Sequence, residues 1–382
     1  MANVLTDLAA DIYKAADVVG RELTGFIPSS TINADDSERV AVGDPVRSHF
    51  TRKATAVNTT ASMTIPEGTD QTVDNKTATI TKSRAVQIPW TGEDIKHVNN
   101  GSGFTSIYGD QIAQAMRTLT NEVEADLGVA AYQGASRAIG TAGTTPFASN
   151  FNTIAQVRQV LVDNGCPIDN QISLVLNTLA GTNLRNLAQL QKANEAGGTN
   201  LLRQGTLLDL QGVMLKESGQ VASHTAGTGS GYLINNASGE AVDQTTITVD
   251  TGTGTILAGD IVTHASDTDN KYVVNTALSG GDFVIGSPGL RIAAADNDAV
   301  TVGAAYTANV AFHRTAVELI ARPPAVPEGG DQATDAMVIQ DPHSGLVFEL
   351  RVYKGYRKAM FEVALAWGVK AWKPDHIAIL LG

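Results

Sequence analysis

The sequence predicts an α+β protein, and three observations carry that reading. Ile112, Met116, Leu119, Val123 and Leu127 recur at helical spacing and form the strongest helical pattern in the chain. Between 151 and 198 helical and strand patterns alternate, which marks a mixed α/β body. From about 218 to 308 short β-branched runs follow one another with no helical period.

Each element has its own justification. Residues 4–19 set Leu5, Leu8, Ile12, Ala15 and Val19 on one helical face and Asp7, Asp11 and Lys14 on another, so a short amphipathic helix is expected. Residues 27–45, containing PSSTINADDSERVAVGDP, read as a linker with turn chemistry at both ends. From Val46 to Trp90 the chain is rich in Thr and Val and poor in large apolar residues. It can form two strands around the PEGTDQTVDN turn, but a hairpin with so little apolar surface needs something outside itself to lie on.

The glycine-rich NNGSGF precedes the long helix, which Thr105 or Ser106 can cap. Ile154, Val157, Val160 and Leu161 predict a second helix that Gly165 and Pro167 stop. QISLVLN (171–177) reads as a buried strand, and TLAGTNLRNLAQLQKANEAGG as a further helix. TTITVD, GDIVTH, KYVVNT, DFVIG and AVTVG then alternate with turn-rich pieces, the pattern of a small inserted β-barrel or sandwich. GLVFELRVYKGYRKAMFEVALAWGVKAWKPDHIAILLG closes the chain with three or four strands.

Composition bounds the function. With 382 residues and 43% hydrophobic content the chain can build two or three domains. Only 17% of residues are charged, below the quarter usual for a free soluble surface, which suggests surface covered by partners. One cysteine, Cys166, excludes an internal disulfide framework and a thiolate metal cluster. The N-terminus has neither a basic nor an apolar leader region and no stretch approaches 18 apolar residues, so cytoplasmic synthesis without a membrane partner is expected. The net charge of −12 is uneven: six basic and three acidic residues lie between 46 and 90, against two basic and nine acidic between 218 and 310. Opposite patches of this kind can steer one copy of the chain onto another.

No catalytic or cofactor pattern stands out. There is no phosphate loop, nucleophile elbow or H-E-x-x-H, and GTGSG (227–231) lacks the strand and helix that a dinucleotide loop needs. The seven histidines lie in separate elements, and none pairs at helical spacing as metal ligands would. The carboxylate groups Asp35-Asp36-Glu38, Asp267-Asp269 and Asp296-Asp298 read as Asx-rich turns. Lys and Arg are too diffuse for a nucleic-acid groove, and Trp90, Trp367 and Trp372 sit in apolar strands that suggest packing. No enzyme, cofactor or metal is therefore expected.

The order of these parts, with four short motifs, resembles the major capsid proteins of tailed bacteriophages, of the P-twenty-two-like podovirus coat type. ANVAFHRTAVELIARPP (308–324) resembles the family's strand after its inserted module, and TILAGDIVTH (255–264) a strand of the module itself. ALAWGVKAWKPDHIAI (364–379) resembles the C-terminal close, and LAADI (8–12) the N-arm helix. The resemblance implies an HK-ninety-seven-type capsid fold: N-terminal arm (1–45), E-loop (46–90), P-domain with spine helix (91–150), A-domain (151–217), inserted β-barrel (218–308) and return strands (309–382). His313 and Arg314 then begin a strand, with Phe312, Val317, Leu319 and Ile320 as core, rather than mark a site. The function implied is a coat subunit that forms pentamers and hexamers of an icosahedral virion shell around packaged double-stranded DNA, with a scaffolding and a portal protein as partners. Arg47, Arg52, Lys53, Lys82 and Arg84 are the expected intersubunit contacts, Asp7 and Asp11 the expected scaffold contacts, and DNA contact is non-specific. The alternatives are an encapsulin-like compartment and a β-rich surface or adhesin subunit.

Overall fold

The computed structural model describes residues 24–34, 38–50, 56–65, 67, 74–99, 104–192, 207 and 209–382. The expected N-terminal helix over 4–19 lies outside the described residues. In chain order the strands are β1 (Thr31–Ala34), β2 (Pro45–Phe50), β3 (Asp74–Thr79), β4 (Lys82–Thr91), β5 (Arg137–Gly140), β6 (Ile172–Leu176) and β7 (Met214–Glu217). Then come β8 (Ser223–His224), β9 (Tyr232–Ile234), β10 (Thr246–Asp250), β11 (Ile261–His264), β12 (Asp267–Ser279), β13 (Asp282–Ile285) and β14 (Ala299–Val302). The last are β15 (Tyr306–His313), β16 (Val317–Arg322), β17 (Ala333–Gln340), β18 (Val347–Gly355), β19 (Lys358–Ala371) and β20 (Ile377–Leu381).

These strands make two main sheets. The first runs β1-β16-β19-β18-β17, with β4 laid along β19 from Lys358↔Thr91 to Trp367↔Lys82. The second contains β7-β6-β15-β20-β5-β12 and continues into the inserted segment. The helix Phe104–Gln133 packs on both sheets, because Ile112, Met116, Leu119, Val123 and Leu127 all fall on its buried stripe. They share one core with Phe312, Leu319, Trp367 and Ile377. The helix Asn152–Asp163 covers the opposite face of the second sheet, with Ile154, Val157, Val160 and Leu161 buried against Leu174, Ala311 and Leu380.

The inserted segment forms a closed ladder. β11 pairs β14, β14 pairs β9, β9 pairs β10, β10 pairs β13, β13 pairs β12, and β12 returns to β11. Every strand of this six-membered ring has two antiparallel neighbours, so none presents an open edge. Inside lie thirteen buried apolar residues, among them Phe283, Tyr272, Ile247 and Val274, and a residual void of only about 10 Å³, room for one water. The ring is a packed core rather than a ligand container. The chain leaves and re-enters the second sheet side by side, Tyr306 opposite His224 and Thr307 opposite Ser223.

Four expectations need correction. The linker over 27–45 contains β1, which pairs in parallel with β16 from Thr31↔Glu318 to Ala34↔Ala321; Asn33 binds Glu318 and Arg322, contacts that turn-rich local sequence cannot reveal. The stretch 308–324 is two strands in different sheets, joined by a 3₁₀ turn at Arg314–Ala316. His313 therefore ends a strand instead of starting one. The helix expected over 178–198 stops at Asn186, where Leu187 turns extended (φ −64°, ψ 121°) before a short turn at Ala188–Gln191. Finally, 82–91 does not belong to the hairpin but lies within the first sheet, leaving β2 and β3 as the hairpin strands.

Candidate functional site

The part of the molecule least able to stand alone is the hairpin of β2 and β3. Among the described residues these two strands pair only with each other, from Pro45↔Thr79 to Phe50↔Asp74. An isolated two-stranded ribbon is marginal in water, because it has no second layer to bury its side chains. Among the described residues its anchor is at the base, where Ala78 and Ile80 reach a small cluster with Val40, Ile320, Ala366 and Trp372. Further out, the described residues 56–65 are all exposed, and Val57, Met63 and Ile65 show 77%, 107% and 93% of their surface to solvent. Leaving three large apolar side chains in water forgoes about 1.5–3 kcal/mol each.

The hairpin crosses the first sheet at a notch. A Cβ on Gly368 would lie 2.2 Å from the Thr79 carbonyl oxygen, so only glycine lets the strand end pass over β19. The neighbouring Thr81 N–H donates to the Trp367 carbonyl at 3.0 Å. This is a packing reason for the Gly in AWGVK.

Beyond the notch, β4 is locked onto the long helix. The Lys82 ammonium donates to Asp126 at 2.7 Å and lies 6.0 Å from the centre of the Trp367 ring. The Trp367 indole N–H donates to the same carboxylate at 2.8 Å, and Arg84 pairs with Glu122 at 3.1 Å. Two of the expected intersubunit cations thus meet carboxylates of their own chain, while both side chains remain substantially open to solvent. Such exposed pairs contribute at most about 1 kcal/mol each. Arg47 is exposed on β2, apart from that pair, and Arg52, Lys53, Asp7 and Asp11 lie outside the described residues.

A buried carboxylate fixes the chain just before β1. Glu124, fully buried in mid-helix, accepts N–H groups from Phe26 at 2.7 Å and Ile27 at 2.8 Å, and also from Gly25. It caps the 3₁₀ turn Ile27–Ser29, whose own residues supply no side-chain cap. Farther along, Arg39 forks onto Glu349, with contacts of 2.6 and 3.0 Å, and Arg351 shares Glu349 and Asp331. Helical and strand periodicity missed both anchors, because a buried charge and its donors lie far apart in sequence.

At the root of the inserted ring His224 and Asp260 meet at 2.8 Å, both buried, and Asp260 also accepts the Gly227 and Leu257 N–H groups. Tyr132 and Tyr306 pack around the His224 ring, and burial pushes both phenols up. The turn carboxylates behave as Asx residues: Asp267 accepts the Asn270 N–H and the Tyr272 hydroxyl, and Asp298 accepts the Ala295 and Ser266 N–H groups. Trp90, Trp367 and Trp372 are buried, as their apolar surroundings predict. Among the described residues no group of three His, Cys, Asp or Glu side chains is placed to hold a metal ion, and no helix is long and apolar enough to cross a membrane. A surface hollow of about 330 Å³ beside Arg158, Asp163 and Gln211 brings together one charge of each sign and no nucleophile with a base.

No protein-family model and no curated protein matches this sequence. Among the solved structures similar to it are phage capsids. The capsid of cyanophage P-SCSP1u aligns over 95% of this chain and 89% of its own at 11% identity, with a TM-score of 0.49. The mature capsid of bacteriophage PhiM1 covers 95% and 88% at 9% identity and a TM-score of 0.46. A virus-like particle from Pyrococcus furiosus covers 98% and 97% at 9% identity and a TM-score of 0.37.

Proposed function

We propose that this chain is a non-enzymatic coat subunit that closes, as pentamers and hexamers, into an icosahedral phage shell around double-stranded DNA. The observation that carries the reading is the β2–β3 hairpin, a limb that shows Val57, Met63 and Ile65 to solvent and has no second layer among the described residues. A neighbouring copy supplies that layer. The motif resemblance of 308–324 and 364–379 supports the same reading, with Phe104–Gln133 as spine helix, the six-stranded sheet as P-domain, the helix-covered second sheet as A-domain and the β9–β14 ring as the inserted barrel. The E-loop of this reading is 46–90, whose last residues lie along β19 as β4.

Rings built from one chain need heterologous contacts that close, and a limb laid on the next subunit provides one. The basic 46–90 segment meets acidic surface of its neighbour, where Arg47, Arg52 and Lys53 set register, and Lys82 and Arg84 join them through the faces they leave open beside Asp126 and Glu122. Asp7 and Asp11 receive a basic element of a scaffolding protein, one vertex takes a portal, and the acidic wall lets DNA slide past without sticking. Electron microscopy of the chain expressed with and without a scaffolding protein tests this. Uniform hollow icosahedral particles are expected; a monodisperse monomer under all conditions, or open sheets and fibres, overturns it.

A further inference from the structure

Two chain crossings join the sheets side by side. β15 of the second sheet passes through Arg314–Ala316 into β16 of the first, and β19 of the first returns through Pro374–His376 into β20 of the second. The crossings are stitched to each other by the Trp372 N–H, which donates to the Ala316 carbonyl at 2.7 Å. The second sheet is stitched to them by the Arg314 N–H on Gln171 at 3.1 Å and the Ser136 N–H on Ile377 at 3.0 Å.

Each crossing carries a histidine, and the two rings meet edge to face, 6.0 Å apart at 79°. Their environments differ. His313 is fully engaged: Nδ1 meets the Thr315 hydroxyl at 2.8 Å and Nε2 meets Asp169 at 3.0 Å. His376 buries an Nδ1 with no hydrogen-bond partner, and the adjacent Asp375 buries an unpartnered Oδ1. We propose that the paired crossings form a proton-sensitive hinge, in which neutral His376 keeps the two sheets clamped and its protonation loosens them. This inference concerns the single chain and stands independently of the shell reading.

The charges around His376 fix the sign. Burial holds its imidazole below the ordinary histidine range, and Lys373 and His313 act in the same direction, while Asp375 opposes them. On the neighbouring elements, Asp169 is committed to His313, and Cys166, pushed up to about 11 by burial, stays a neutral thiol. Arg314, exposed in the first crossing, adds another positive charge to the junction. A histidine depressed in the fold gives stability that is complete above its unfolded value of about 6.5 and is lost as pH falls below it. Both ring nitrogens of His313 already have partners in Thr315 and Asp169, whereas the buried Nδ1 of His376 has none, so His376 is the sensing group.

Amide hydrogen exchange of the intact chain at about pH 7.5 and pH 5, corrected for intrinsic rates, tests the hinge. Protection at Arg314, Trp372 and Ser136 is expected to fall several-fold at the lower pH, the direction that a histidine held below its ordinary range requires. The Val249 and Leu278 amides of the ring, bonded to Gly281 and Ile256, are expected to keep their protection. In His376→Gln the three hinge amides lose their pH dependence, and His376→Phe carries the same test if the first variant does not fold. Unchanged hinge protection in the native chain, an equal loss in the variants, or a loss spread evenly over hinge and ring overturns the proposal.

Discussion

The inserted ring and the β2–β3 hairpin are both antiparallel β structure, yet they stand at opposite ends of self-sufficiency. The ring closes its ladder on itself and fills the inside with Phe283, Tyr272 and eleven other buried apolar side chains. The hairpin contributes Ala78 and Ile80 to a small cluster at its base and leaves Met63 and Ile65 in water. β-Propensity alone does not make a stable sheet; a second apolar layer does. The ring carries that layer within its own sequence, whereas the hairpin must find it elsewhere.

The contrast can be broken from either side. Phe283→Ala, at a side chain only 2% exposed, should cost about 3–5 kcal/mol and unfold the ring before the rest, read by chemical denaturation followed at ring amides. Equal loosening of ring and body would mean that the ring does not stand by its own core. Next in size is Gly368→Ala, which pushes the Thr79 carbonyl away from β19. A cost of about 1–3 kcal/mol is expected, with raised exchange at Thr81 and little change in the ring. The smallest effect belongs to Met63→Ser with Ile65→Ser, which should leave the stability of the unassembled chain within about 0.5 kcal/mol. The same double variant should abolish particle formation, and a chain destabilised in isolation would show that these side chains have an internal partner.

What the sequence revealed follows the reach of local pattern. The long helix, the helix at Asn152–Asp163 and five of the six ring strands were legible, because a buried stripe or an alternating run is written in adjacent residues. β9 was missed because three residues, Tyr232–Ile234, carry too short a pattern. β1 was hidden among Ser, Asn and Asp because its stability comes from pairing with β16 and from Asn33, not from its own composition. The limb was legible as a shortage of large apolar residues between 46 and 90, but the exposure of Met63 and Ile65 was not, because two apolar residues in a Thr-rich tract read equally well as core. The histidine pair was not legible, since His313 and His376 meet only when two crossings from distant parts of the chain run side by side.

The claim that the limb is completed by another molecule is most directly tested by hydrogen exchange of the Val46–Phe50 amides in the unassembled chain and in closed particles. Slow exchange in the particle and near-intrinsic exchange in the lone subunit is the predicted result. Strong and equal protection of those amides in a monodisperse monomer would contradict it.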